Sequence, residues 1–199
     1  MSATLPAAVA LPRLGPYRVR DYDRLPDYPR HELVFGRLYV TPSPFPRHQV
    51  TVQTLWQQFN RLAKSAGGFA FLAPLDVVLA DHSVVQPDIV YVSAARLGLI
   101  DKRVEGVPDL VVEVLSPGTA RFDRGKKLEL YALAGIQEAW LVNHPTRHID
   151  FLVNEAGRFA AAAPVAGKYQ SSKLPEIHLN VSRFWRQVEA TLQRVPRAR

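Results

Sequence analysis

Residues 109–142 constrain the fold more than any other stretch of this chain. Asp-Leu-Val-Val-Glu-Val-Leu at 109–115 is apolar after Asp109 except for Glu113, and reads as a central strand buried on both faces. Ser116-Pro117-Gly118-Thr119 breaks that strand, and residues 120–134 follow as a helix ended by Gly135. Glu-Ala-Trp-Leu-Val-Asn at 138–143 is a second short apolar strand. A strand, a helix and a strand in so short a span imply a right-handed parallel crossover. The chain is therefore expected to be α/β.

The rest of the chain supplies the other layers. His-Glu-Leu-Val-Phe-Gly-Arg-Leu-Tyr-Val at 31–40 reads as a strand or a tight hairpin about Gly36. From His48 the positions Val52, Leu55, Phe59, Leu62 and Ala66 form one helical stripe, stopped by Gly67-Gly68. His48 lies on that stripe, so it should face the sheet. Residues 69–80 and 83–92 read as two strands joined by a turn at Asp81-His82. Residues 147–161 read as a hairpin turning at 154–157, and residues 181–194 as a last helix carrying Phe184, Trp185, Val188 and Leu192. The expectation is one mixed sheet flanked by helices, in one domain over residues 17–194, with an arm at 1–16 and a basic tail at 195–199.

Composition narrows the chemistry. The chain has no cysteine, which excludes disulfides, thiolate metal sites and cysteine nucleophiles. No apolar run approaches the roughly 18 residues that span a membrane, so a cytoplasmic protein with no membrane role is expected. The apolar N-terminal run has no basic segment before it and is interrupted by Pro6 and Pro12, unlike a signal peptide. A net charge of +7 favours a polyanionic partner such as nucleic acid, although Arg183, Arg186, Arg194, Arg197 and Arg199 concentrate part of it near the C-terminus. No glycine-rich nucleotide loop or Gly-x-Ser-x-Gly elbow occurs, so no nucleotide cofactor is expected. His31-Glu32 begins a zinc-protease pattern, but Phe35 stands where its second histidine is required.

Glu113 is the chemical anomaly. A carboxylate in such a strand is costly unless it is paired or bound to a cation. Asp88 stands in another apolar stretch, directly after Pro87. Two acids on neighbouring strands make a hard-oxygen cage for Mg²⁺ or Mn²⁺. Lys127, on the helix after the Glu113 strand, shares a face with Asp123 and Tyr131, and the crossover would carry its ammonium back toward the acids. Two acids, a lysine and a metal ion are what phosphodiester hydrolysis requires. The plainer readings are acids satisfied by backbone amides or arginines, and a surface pair of Lys127 with Asp123 worth about 0.3–0.5 kcal/mol. Glu32 would by the same logic pair with Arg30 or Arg37, and His48 would fill the core edge. His144 and His148 read as surface residues beside a turn.

The segments 31–44, Arg47-His48-Gln49, 84–92, 108–119 and 123–142 together resemble the Uma-two family of the PD-(D/E)XK nuclease superfamily, with 108–142 the most specific part. The resemblance implies a restriction-endonuclease-like fold and a Mg²⁺-dependent nuclease acting on DNA. It makes Pro87-Asp88 the PD element and Glu113 the second acid, with the carbonyl of Val114 as a further metal ligand. The superfamily's acid-x-lysine on one strand is missing, since Val114 and Leu115 follow Glu113. In the family the lysine comes from the next helix, which matches Lys127, with Lys126 as its rival and a candidate substrate contact. Glu32 matches an early acid of the family. His48 and Ser116 are candidate substrate contacts. The alternative is a catalytically weak binding module on the same fold, holding nucleic acid or protein as a homodimer or larger homo-oligomer.

Overall fold

The structure, a computed structural model, describes residues 12–194. The tail at 195–199 and residues 1–11 of the expected arm lie outside them.

A helical turn, α1 (Val19–Tyr22), precedes the hairpin of β1 (His31–Val34) and β2 (Arg37–Val40). Phe35 and Gly36 both take positive φ, 50° and 73°, as a two-residue hairpin turn demands. Gly15 docks on this turn, donating its N–H to the Phe35 carbonyl at 2.7 Å. A Cβ on Gly15 would lie 2.2 Å from the Gly36 oxygen, so neither glycine can carry a side chain. The expected arm therefore ends before residue 15, which belongs to the fold.

Helix α2 (Pro46–Ser65) begins with proline at a position that needs no N–H. Its buried stripe is Thr51, Val52, Leu55, Phe59 and Ala63; Ala66 lies past its end. Each of the next two apolar runs breaks in the middle. The first becomes β3 (Phe69–Leu72) and β4 (Val77–Ala80), the second β5 (Ser83–Val85) and β6 (Ile89–Val92). β3 pairs with β6 in one sheet while β4 pairs with β5 in another. Pro74 and Pro87 stand in the two breaks, where a residue without an N–H cannot serve a ladder. One long ribbon thus changes sheets, and Asp88 falls in the break rather than inside a strand.

A 3₁₀ segment at Ala94–Leu99 and a two-residue strand β7 (Val104–Glu105), parallel to β4, occupy the connection that follows β6. Then come β8 (Leu110–Val114), buried throughout, and a helix in three parts. These are α3 (Ala120–Phe122), a π-helical turn at Asp123–Lys127 and α4 (Leu128–Ala134). Gly135 ends the last with φ 90°. β9 (Glu138–Asn143) is parallel to β8, as the crossover requires. The hairpin of β10 (His148–Glu155) and β11 (Arg158–Ala162) follows. A small ribbon, β12 (Lys168–Gln170) with β13 (His178–Asn180), leads into α5 (Val181–Leu192). Asn180 caps α5 by accepting the Arg183 N–H at 2.9 Å.

Among the described residues the expected single sheet is in fact three. The larger runs β11-β10-β9-β8-β6-β3, the second β2-β1-β5-β4-β7, and the ribbon β12-β13 is separate. α2 and α5 cover one face of the larger sheet around Leu55, Phe59, Trp140 and Phe184. Its other face meets α4 and the second sheet around Val34, Val85, Val111, Tyr131 and Ile136. Strand alternation therefore sends Val112 and Val114 toward α2, and Val111 and Glu113 toward α4.

Candidate active site

Glu113 emerges at the carboxyl end of β8, on the face that the three-part helix covers. Residues four apart on an α-helix drift by about 40° around its axis. The wider π turn offsets that drift, and Asp123, Lys127 and Tyr131 all point inward and are buried. The Tyr131 hydroxyl donates to Glu113 Oε1 at 2.5 Å, and Lys127 Nζ lies 2.7 Å from the same oxygen. Lys127 also donates to Glu32 Oε1 at 2.9 Å, with Asp123 Oδ1 at 3.9 Å. Glu32 is held in turn by the Gln86 N–H at 2.7 Å, from the break between β5 and β6. Its expected pairing with Arg30 or Arg37 gives way to Lys127.

Lys127 is no surface residue: its side chain is 4% exposed, so the pair with Asp123 is part of a buried network. Lys126, one step around the helix, points outward and pairs with Glu129 at 3.2 Å. Burial alone would favour a neutral Lys127, but Glu113 and Glu32 outweigh it and hold the amine well above its usual range, as an ammonium. Burial pushes the Glu113 carboxyl well up, opposed by Lys127 and reinforced by Asp123, Asp88 and Glu32. Asp123 is raised by burial as well, with Lys127 and a hydrogen bond from Thr119 opposing. Three acids, Glu32, Glu113 and Asp123, share one ammonium here. The cluster is short of positive charge.

Asp88 approaches from the ribbon break. Its Oδ2 accepts the Val114 N–H at 2.7 Å and meets His48 Nε2 at 3.1 Å. The backbone-amide reading is thus true of one Asp88 oxygen. His48 faces the sheet from the first turn of α2, and its Nδ1 is buried without a partner. A cavity of about 820 Å³ is lined by Glu32, His48, Asp88, Glu113, Val114, Ser116 and Lys127, with Lys126 outside it. Ser116 Oγ bonds Thr119 Oγ1 at 3.0 Å in the turn before α3.

Among the described residues, no three His, Asp or Glu side chains are grouped so as to cage an ion by themselves. The groups that could hold an ion with help from water are the carboxylates of Asp88 and Glu113 and the main chain at Val114. Hard oxygen donors in that number suit Mg²⁺, which keeps several waters and binds through one or two carboxylates.

Sequence reasoning overlooked Gln86, whose backbone N–H positions Glu32, and His144 is not the surface residue expected: it is 9% exposed and packs against Trp185, because α5 covers the turn after β9. His148 is exposed as expected and meets Asp150 at 3.0 Å. Pro87 was the one local sign of the break that brings Gln86 into the site. No helix among the described residues is long and apolar enough to cross a membrane.

Comparison with known proteins bears on the fold and the family. A crystal structure described as "a putative nuclease belonging to DUF820 from Anabaena variabilis ATCC 29413" superposes with a TM-score of 0.72 at 20% identity. The match covers 87% of this chain and 99% of that one, and shows a shared restriction-endonuclease-like fold. No curated protein matches the chain. The profile of the Uma2 family, described as "Putative restriction endonuclease", matches residues 19–188. The chain therefore belongs to the Uma2 family of restriction-endonuclease-like nucleases.

Proposed function

We propose that the protein is a Mg²⁺- or Mn²⁺-dependent endonuclease that hydrolyses phosphodiester bonds in DNA. The observation that carries this reading is the reach of Lys127, from the helix after β8, to Glu113 at 2.7 Å in the cavity that Asp88 also lines.

Asp88, Glu113 and the Val114 carbonyl would hold the ion. When bound, it supplies Lewis acidity to the phosphate and acidifies a water molecule. The remaining work belongs to the chain. His48 and the Val114 amide fix one oxygen of Asp88, so its carboxylate cannot rotate freely. Glu32 and Tyr131 hold the Lys127 ammonium and the Glu113 carboxylate in register. That ammonium, kept dry and charged, offsets negative charge that grows on the phosphate oxygens as the bond breaks. Ser116, which also lines the cavity, would donate to a phosphate oxygen.

The test is cleavage of supercoiled plasmid and of single-stranded DNA across a Mn²⁺ titration, with Asp88→Ala alongside. Metal-dependent nicking by the wild type and none by the variant is the expected result. Equal activity of the two proteins would end the assignment. One observation favours a second reading, a catalytically weak nucleic-acid- or protein-binding homo-oligomer. Lys127 is already neutralised by Glu32 and Glu113, at 2.9 and 2.7 Å. That reading predicts DNA binding without cleavage at any Mn²⁺ concentration.

A further inference from the structure

The acid-lined cavity is a poor attractor for a polyanion. Glu32, Asp88, Glu113 and Asp123 face only Lys127 and Arg30 there, and such a field repels phosphodiesters until cations arrive. The net charge of +7 must exert its pull elsewhere.

A second cavity, of about 840 Å³, lies against the start of α2, the β9–β10 turn and the end of α5. Phe45, Arg47, His144, Arg147, Glu189 and Arg194 line it. A recess of about 590 Å³ along α5 shares Arg147 and Glu189 and adds Trp185 and Arg186. Four arginines thus face a single carboxylate. Phe45, 68% exposed, is a wall both of this groove and of the acid cavity.

Charge alone would describe any solvated basic face. Two further observations separate this one. His144 Nε2 and Trp185 Nε1 are buried with no hydrogen-bond partner, on residues only 9% and 7% exposed. By contrast, the indoles of Trp56 and Trp140 donate to the Ala70 carbonyl and to Glu138. Buried polar atoms are rarely left unpaired, because each costs about 1–3 kcal/mol. The groove also abuts the start of the 20-residue α2, which has no acid in its first turn and no side-chain cap. That end is the positive pole of the helix.

We propose that this arginine-lined groove docks the backbone phosphates of DNA flanking the bond presented to the acid cavity, with Phe45 as the ridge between the two. The direction of the strand rests on the nuclease reading; the groove's affinity for DNA does not.

The test is fluorescence anisotropy with a short labelled DNA duplex, in EDTA, across a salt series. Arg47→Gln/Arg194→Gln should bind at least tenfold more weakly at low salt. Its slope of log K against log salt should be shallower by roughly 2, about 0.9 per lost phosphate contact. In Mn²⁺ the same variant should show a raised KM and an unchanged kcat. Glu189→Gln, which removes the lone carboxylate, should bind about threefold tighter, a gain that misfolding cannot produce. Wild-type affinity and slope in the double variant, or no binding by the wild type at low salt, overturns the groove. If the double variant binds normally while the wild type cleaves and Asp88→Ala does not, the groove falls and the nuclease stands. Groove-dependent binding with no cleavage in Mn²⁺ supports the groove and removes the nuclease.

Discussion

Glu113 and Glu138 stand on the adjacent parallel strands β8 and β9, and both are buried. They lie at opposite ends of the pair and face opposite sides of the sheet. Glu138 Oε1 accepts from the Trp140 indole at 2.6 Å and the Tyr169 hydroxyl at 2.7 Å, and its Oε2 from the Ser171 hydroxyl. All three donors are neutral, and together they tie the loop after β12 to the sheet. Glu113 has one neutral donor, Tyr131, and shares the Lys127 ammonium with Glu32 and Asp123 at the wall of a cavity. A buried acid saturated by hydroxyls and an indole is a lock. A buried acid competing with others for one cation has charge to spare for a ligand.

The difference can be broken first by activity. Glu113→Gln should lower Mn²⁺-dependent plasmid nicking by on the order of 10³-fold, whereas Glu138→Gln should leave the initial rate nearly unchanged below its melting temperature. Comparable losses from the two would mean that the contrast is not one of function.

Stability should reverse the order. Glu138→Ala strands three donors, and urea denaturation should show a loss of about 3–5 kcal/mol. Glu113→Ala relieves an excess of negative charge, so its loss should be about 1 kcal/mol or less, and a gain is consistent with a site strained for function. A larger loss at Glu113 than at Glu138 would refute the assignment of lock and site.

Lys127→Met sharpens the same point. A helix-surface lysine would be replaced at almost no cost. This one is buried between Glu32 and Glu113, and its removal leaves two buried acids without a counter-charge, at a cost of about 3 kcal/mol. Lys126→Met, which disturbs only the exposed pair with Glu129, should change the melting temperature little. Equal melting temperatures for the two variants would return Lys127 to the surface.

The smallest effect concerns a buried base without a lock. Burial lowers the His144 pKa, with Arg47 and Arg147 adding and Glu189 opposing. The unfolded chain then takes up this proton first as pH falls through the ordinary histidine range. His144 therefore makes stability decline as pH falls from 7, until the folded state is protonated too. His144→Gln should flatten that part of the stability profile, measured by urea midpoints between pH 7.5 and 5.5. An unchanged slope would place the titration on another group.

The strand pattern at 110–114, the helix stop at Gly135, the Phe35-Gly36 turn and the stripe of α2 were legible because each is a local matter. Periodicity, a positive φ and a missing N–H act over a few residues. Glu113 was legible for the same reason, since a charge in an apolar strand is an anomaly wherever the strand lies. Glu138 was not, because an acid at the start of a strand looks like its edge until Tyr169 and Ser171 fold over it. The split of residues 69–92 between two sheets was hidden too, since Pro74 and Pro87 mark interruptions without saying which strand pairs with which.

Lys127 illustrates the boundary. Its helix, its face and its chain distance from Glu113 follow from the sequence. Its burial against Glu32, 95 residues away, depends on two sheets closing over one helix. The same closure brings Asp88 to the Val114 amide, 26 residues on. Local chemistry named the acids and the lysine; the packing of one sheet against another decided which acids share the lysine's charge, because Coulomb forces act across space rather than along the chain.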